Sequence, residues 1–226
     1  TLELGLTGKL GFLDGIVFHS ICDPARNLAS VFKRNFPQLQ VEYIHFPQNM
    51  ASPHTIDYLA AEYQKLKASY AQLAGRAITD DDLRNSIRLY NEQRKLIGDL
   101  YRIRRQTPQN LSTLETYVLT RIGTLIPPEE HIAILKQAVA AARRRDEKVK
   151  DRIKVVLEGS FCEQPPLELI DALEAAGCYI LDDDFLLGWR FFEQDIPSEG
   201  EPIKNLARAY LDRSVYSGVK HDTREP

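Results

Sequence analysis

His19, Cys22 and Arg26 crowd into one short stretch, Gly15-Ile-Val-Phe-His-Ser-Ile-Cys-Asp-Pro-Ala-Arg26. A cysteine does its chemistry as the thiolate, either as nucleophile or as metal ligand. An imidazole exchanges protons near neutrality or ligates a metal, and a guanidinium binds anions. The setting of these residues sharpens the expectation. An apolar run, Ile16 to Phe18, passes into a polar turn, and Asp23-Pro24 then supplies an N-cap followed by proline at the first helical position. Cys22 is therefore expected beyond the carboxyl end of a strand and at the positive end of a helix. Ligands bind at that edge of open α/β sheets, and a helix N-terminus favours the thiolate. Plainer readings stand beside these. Free cysteines commonly act as small buried hydrophobes, His19 reads equally as a satisfied structural histidine, and Arg26 can bind an anion or pair locally.

Other residues could carry chemistry. Cys162 sits in a turn much like that of Cys22, between an apolar run and a proline-initiated helix, whereas Cys178 opens a strand and reads as core. Asp182, Asp183 and Asp184 could hold a hard cation or orient a substrate, with a solvated turn as the favoured alternative. Asn91 and Arg94 lie three apart on one helical face, and Arg94 interrupts an apolar stripe, which suits a buried hydrogen-bonding role. Three widely spaced cysteines suggest neither a disulfide framework nor a zinc pattern, and reduced thiols in the cytoplasm are the expectation. The phosphate-binding Gly-x-x-x-x-Gly-Lys-Ser/Thr loop, the Gly-x-Gly-x-x-Gly fingerprint, the Gly-x-Ser-x-Gly elbow and His-Glu-x-x-His are all absent. Any use of ATP or a nicotinamide is assigned to another polypeptide.

The elements that must position these residues follow from periodicity. Residues 15–19 and Val41 to His45 read as strands joined by a helix with Leu28, Ala29, Val31, Phe32 and Phe36 inward, which is a right-handed parallel βαβ unit. Phe36-Pro37 ends that helix. Residues 54–147 read as helical: one helix closed by Gly75, one beginning at Thr79, one with a Ser112/Glu115 capping box, and one begun by Pro127-Pro128 and ended by Arg143-Arg-Arg145. A buried strand, Ile153 to Leu157, then leads through a helix, Leu167 to Ala176, to a strand opening at Cys178. The domain boundaries are placed at 1–52, 53–150 and 151–226: a partial α/β domain, a helical segment and a partial second α/β domain. A net charge of −3 disfavours a nucleic-acid binder. No apolar run approaches the roughly 18 residues of a membrane span, and the start lacks a signal-peptide pattern. The initial Thr1 suggests that the chain is processed or cut from something longer.

Taken together, several motifs resemble one family, the catalytic subunits of 2-hydroxyacyl-CoA dehydratases and benzoyl-CoA reductases. They are Cys22-Asp-Pro-Ala-Arg26 with Phe36-Pro37 and His45-Phe-Pro47, then Ile87-Arg-Leu-Tyr-Asn-Glu-Gln-Arg94, which is similar to an Asn-x-x-Arg helix of the family. Leu157-Glu-Gly-Ser-Phe-Cys-Glu-Gln-Pro-Pro166, Gly177-Cys-Tyr-Ile-Leu-Asp-Asp-Asp184 and Ala207-Arg-Ala-Tyr210 look closer to benzoyl-CoA reductase subunits. The resemblance implies an α/β fold of two small parallel-sheet, flavodoxin-like modules separated by a helical segment and truncated at both ends. It implies a [4Fe–4S] cluster held by three cysteines, with Cys22 matching the middle ligand and the other two lying outside this span. Cys162 and Cys178 fall in none of the ligand motifs. The expected function is delivery of a low-potential electron to an acyl-CoA or aryl-CoA thioester, for reductive dearomatisation of benzoyl-CoA or, alternatively, radical dehydration of a 2-hydroxyacyl-CoA. A homologous second subunit and an ATP-dependent iron–sulfur activator are the implied partners. One thiolate cannot hold such a cluster, so these 226 residues alone are expected to be cluster-free and inactive. Two rival readings remain: a non-catalytic partner subunit, and a thiol enzyme using Cys22 and His19, for which the sequence shows no base-orienting pair.

Overall fold

A computed structural model of the protein describes residues 1–20, 23–158, 165–183 and 194–213. Contacts group the chain into two compact units, Thr1–Arg84 with the chain from Ser198 onward, and Asn85–Pro197.

In the first unit a short helix absent from the sequence reading, α1 (Leu2–Leu6), precedes β1 (Gly15–His19), α2 (Asp23–Asn35) and β2 (Gln40–Ile44). The strands pair in parallel, Gly15 opposite Gln40 through His19 opposite Ile44. Phe18 of β1, Val41 of β2 and Ala29 and Phe32 of α2 form the buried cluster between sheet and helix, with the Phe18 and Phe32 rings 5.3 Å apart. Burial of each such ring contributes about 2–3 kcal/mol. A Cβ on Gly15 would come within 3.1 Å of the Gln40 carbonyl oxygen and 3.3 Å of Leu73, so the strand begins where only glycine fits without displacement. α3 (Thr55–Leu73) packs on α8 (Pro202–Arg213) through Leu59, Ala60, Ala207 and Leu211. Gly75, at a φ of +63°, closes the chain after α3 as expected.

The second unit takes in most of α4 (Asp80–Gln106), a 3₁₀ turn at Pro108–Asn110, α5 (Thr113–Ile122) and α6 (Pro128–Arg144). The capping box opens α5 as read from sequence: Ser112 accepts the Glu115 amide and Glu115 accepts the Ser112 amide. Ile97, Leu100, Tyr101, Leu135 and Val139 form the helical core. β3 (Ile153–Leu157), α7 (Leu167–Ala175) and β4 (Cys178–Asp183) then repeat the parallel βαβ order, with a register shift between Val155 and Val156.

The described strands thus make two small parallel two-stranded sheets among helices, the expected fold class. One detail departs from expectation. β3 is largely exposed rather than buried, with Ile153 and Val156 70% and 61% exposed. Among the described residues each strand of this sheet has the other as its single neighbour, and burial falls on Tyr179 and Ile180 of β4.

Candidate ligand cleft at the carboxyl edge of the first sheet

Beyond the carboxyl ends of β1 and β2 the chain makes a cleft of about 440 Å³. Ser20 follows β1, the loop from His45 to Asn49 follows β2, Arg26 comes from α2, and His54, Thr55 and Tyr58 come from the start of α3. Among the described residues no Asp or Glu lines it.

Its loop is held by hydrogen bonds that the strand ends cannot supply. The Phe46 amide donates to Ser20 Oγ at 3.1 Å, tying the loop after β2 to the residue after β1. The His45 amide donates to Glu62 Oε2 at 3.2 Å, the Thr55 hydroxyl donates to the Asn49 carbonyl at 2.8 Å, and the Ala51 amide donates to Asn49 Oδ1 at 3.1 Å. Glu62 is buried and also accepts from Lys65 Nζ at 2.6 Å. Burial by itself pushes its carboxyl pKa upward. The bond from Lys65, the His45 amide and the nearby positive charge outweigh that and leave it below the ordinary value. Arg26 makes no ion pair or hydrogen bond with a described residue.

The sequence candidates separate on this geometry. Arg26 lines the cleft beside His45 and His54, neither of which the sequence reading had singled out as chemistry. The His19 ring stands edge-on to Phe46, centroids 5.6 Å apart, and so braces a wall. Glu62 was also missed, although Lys65 three residues on is the spacing of a helical ion pair. Cys22, Cys162 and Asp184 lie outside the described residues.

The described acids of the run after Leu181, Asp182 and Asp183, hold the structure together. Asp182 and Asp183 are the last residues of β4, not a solvated turn. Asp183 is buried and accepts from Arg104 Nη1 at 3.0 Å and from the Tyr101 hydroxyl at 3.0 Å. Arg104 is 1% exposed and also donates from Nη2 to the Ile180 carbonyl at 2.9 Å. Burial, and then the Asp183 charge, push the Tyr101 phenol well above its usual pKa, so it stays a donor. Asp182 accepts from Arg105 Nε at 3.0 Å. Arg104 was legible in principle: Ile97, Tyr101 and Arg104 keep the same helical face. Asn91 brackets the backbone of Ile196, donating to its carbonyl at 2.7 Å and accepting its amide at 2.9 Å. Arg94 is buried and donates to Asn91 Oδ1, as its place in the stripe suggested. Cys178 opens β4 as a half-buried free thiol. Among the described residues no three His, Cys, Asp or Glu side chains are grouped to hold a metal ion, and no helix is long and apolar enough to cross a membrane.

A parallel βαβ unit with an open cleft past its strand ends is the arrangement at which open α/β sheets bind ligands. The chain matches, over residues 1–224, the family described as 2-hydroxyglutaryl-CoA dehydratase, D-component, and it belongs to that family. It is 42% identical over 225 residues to a subunit of the benzoyl-CoA reductase of Thauera aromatica, covering 100% of this chain and 58% of that protein. It is 27% identical over 210 residues to the beta subunit of lactoyl-CoA dehydratase from Anaerotignum propionicum, covering 92% and 55%. With the beta subunit of (R)-2-hydroxyglutaryl-CoA dehydratase from Acidaminococcus fermentans it shares 22% over 200 residues, covering 88% and 52%. The chain therefore spans a little over half the length of these relatives.

Proposed function

We propose that the whole protein containing this chain is an iron–sulfur subunit that delivers a low-potential electron to a CoA thioester, with benzoyl-CoA reduction as its reaction. The observation that carries this reading is the gap between 42% identity across the full chain to a benzoyl-CoA reductase subunit and 27% to a lactoyl-CoA dehydratase subunit. Dehydration of a 2-hydroxyacyl-CoA is the second reading, favoured by the family's own description. A homologous second subunit and an ATP-dependent iron–sulfur activator, in the cytoplasm, complete the proposal.

Cys22 is the residue of this span proposed to ligate a [4Fe–4S] cluster, which when bound would supply the low-potential electron. The span by itself is proposed to be cluster-free, because it carries one cysteine in the ligand motifs and a single thiolate is insufficient. The remaining ligands are assigned to the rest of the protein, and the span alone is proposed to be inactive. What its own described residues do is set the frame: Ser20, directly after β1, and Glu62 of α3 fix the loop after β2.

Iron and sulfide analysis of the full-length protein, purified without oxygen, tests the ligand role. Cys22→Ala should lose iron and sulfide, and an unchanged content would refute it. With the activator present, turnover of benzoyl-CoA but not of a 2-hydroxyacyl-CoA is expected, and the reverse preference would establish the dehydratase reading.

A further inference from the structure

We propose that the cleft past β1 and β2 is a phosphate-binding site in which Arg26 recognises the charge. Three features converge there. Among the described residues no carboxylate lines the cleft, while Arg26, His45 and His54 do. The nearby acid Glu62 is already committed to the His45 amide and to Lys65, so its charge is neutralised locally. The Arg26 guanidinium makes no ion pair or hydrogen bond with a described residue, unlike Arg104, Arg105 and Arg145, whose carboxylate partners lie at 3.0, 2.5 and 2.7 Å.

A planar guanidinium with free donors matches two phosphate oxygens at once. Hydrogen bonds at Ser20, Asn49 and Thr55 hold the cleft loop in place beforehand, which lowers the ordering cost of binding. Phe46 and Tyr58 add aromatic surface beside the polar groups, so an organic phosphate finds contact for its carbon skeleton as well as its charge. Resting on the reading that the whole protein acts on a CoA thioester, the phosphate is one carried by CoA. Free phosphate offers the same chemistry, and the experiment separates the two.

The test is calorimetric titration of the full-length protein with CoA, with pantetheine, which lacks phosphate, and with inorganic phosphate. Arg26→Gln, Arg26→Lys and His54→Gln are compared with the parent after matching their circular dichroism. Arg26→Gln should weaken CoA binding about tenfold, the scale of one charge-assisted pair. Arg26→Lys should recover most of that, and pantetheine should be indifferent to both. CoA affinity within twofold of the parent in Arg26→Gln and His54→Gln overturns the phosphate site, while benzoyl-CoA turnover still stands for the functional reading. Equal losses for CoA and pantetheine mark a packing role and also overturn it. Inorganic phosphate binding that Arg26→Gln abolishes, without any CoA binding, keeps the site and overturns the CoA reading. Binding of neither overturns both.

Discussion

The two parallel sheets present charged residues at the same topological place and use them in opposite ways. Past β1 and β2, neutral and basic side chains line an open cleft, and Arg26 is uncommitted among the described residues. At the carboxyl end of β4 the charges are consumed: Arg104 and Asp183 face each other in the interior, with Tyr101 and the Ile180 carbonyl satisfying the remaining donors and acceptors. Desolvating both ions is costly, and the pair survives because nearly every lone pair and proton finds a partner. A charge at the carboxyl edge of a sheet is therefore available to a ligand only when folding leaves it without a partner.

Breaking the buried pair should have the largest effect. Asp183→Ala leaves a guanidinium buried without its carboxylate and should cost about 3–5 kcal/mol in chemical denaturation. Adding Arg104→Met should restore much of that loss. A double mutant no more stable than Asp183→Ala would show that the damage lies in packing, not in the orphaned charge.

A smaller effect separates the two units by pH. His131 is fully buried between the Leu119 carbonyl, 2.7 Å from its Nε2, and Gln93 Nε2, 2.7 Å from its Nδ1. Because a carbonyl only accepts, Nε2 carries the proton and Nδ1 accepts from the amide. Burial holds this imidazole below its usual 6.5, against the opposing pull of the Leu119 carbonyl. The unfolded chain takes up the proton first, so the stability due to neutral His131 is complete above pH 6.5 and declines as pH falls below it. Glu62 is depressed below 4.5, so its contribution persists to that pH and is lost only beneath it. Protection from amide exchange on acidification should weaken in α6 before α3, and the reverse order would contradict the assignment.

Arg26→Gln should change folding stability by no more than about 0.5 kcal/mol, the range of an exposed substitution without partners. A larger loss in the same denaturation series would show that Arg26 supports the fold rather than serving a ligand.

Local patterns were read well where the chain's own chemistry suffices. The strand at Gly15–His19, the Ser112/Glu115 box and the stop at Gly75 each depend on neighbours within a few residues. Arg94 was legible because a charge in an apolar stripe must find a partner. Arg104 escaped notice, although it continues the face of Ile97 and Tyr101, because its carboxylate lies 79 residues away in sequence. Glu62 escaped for a related reason: its role is to hold a backbone amide 17 residues earlier.

The sequence by itself determined the two βαβ modules, the helices between them and the family, because these rest on periodicity, caps and motif order along the chain. Only the tertiary structure decided which charges are spoken for. It turned Asp182 and Asp183 from possible ligands into partners of Arg105 and Arg104, and it left β3 exposed despite an apolar run that reads as interior. Partnership and burial depend on distances between residues far apart in the chain, and no local pattern encodes those distances.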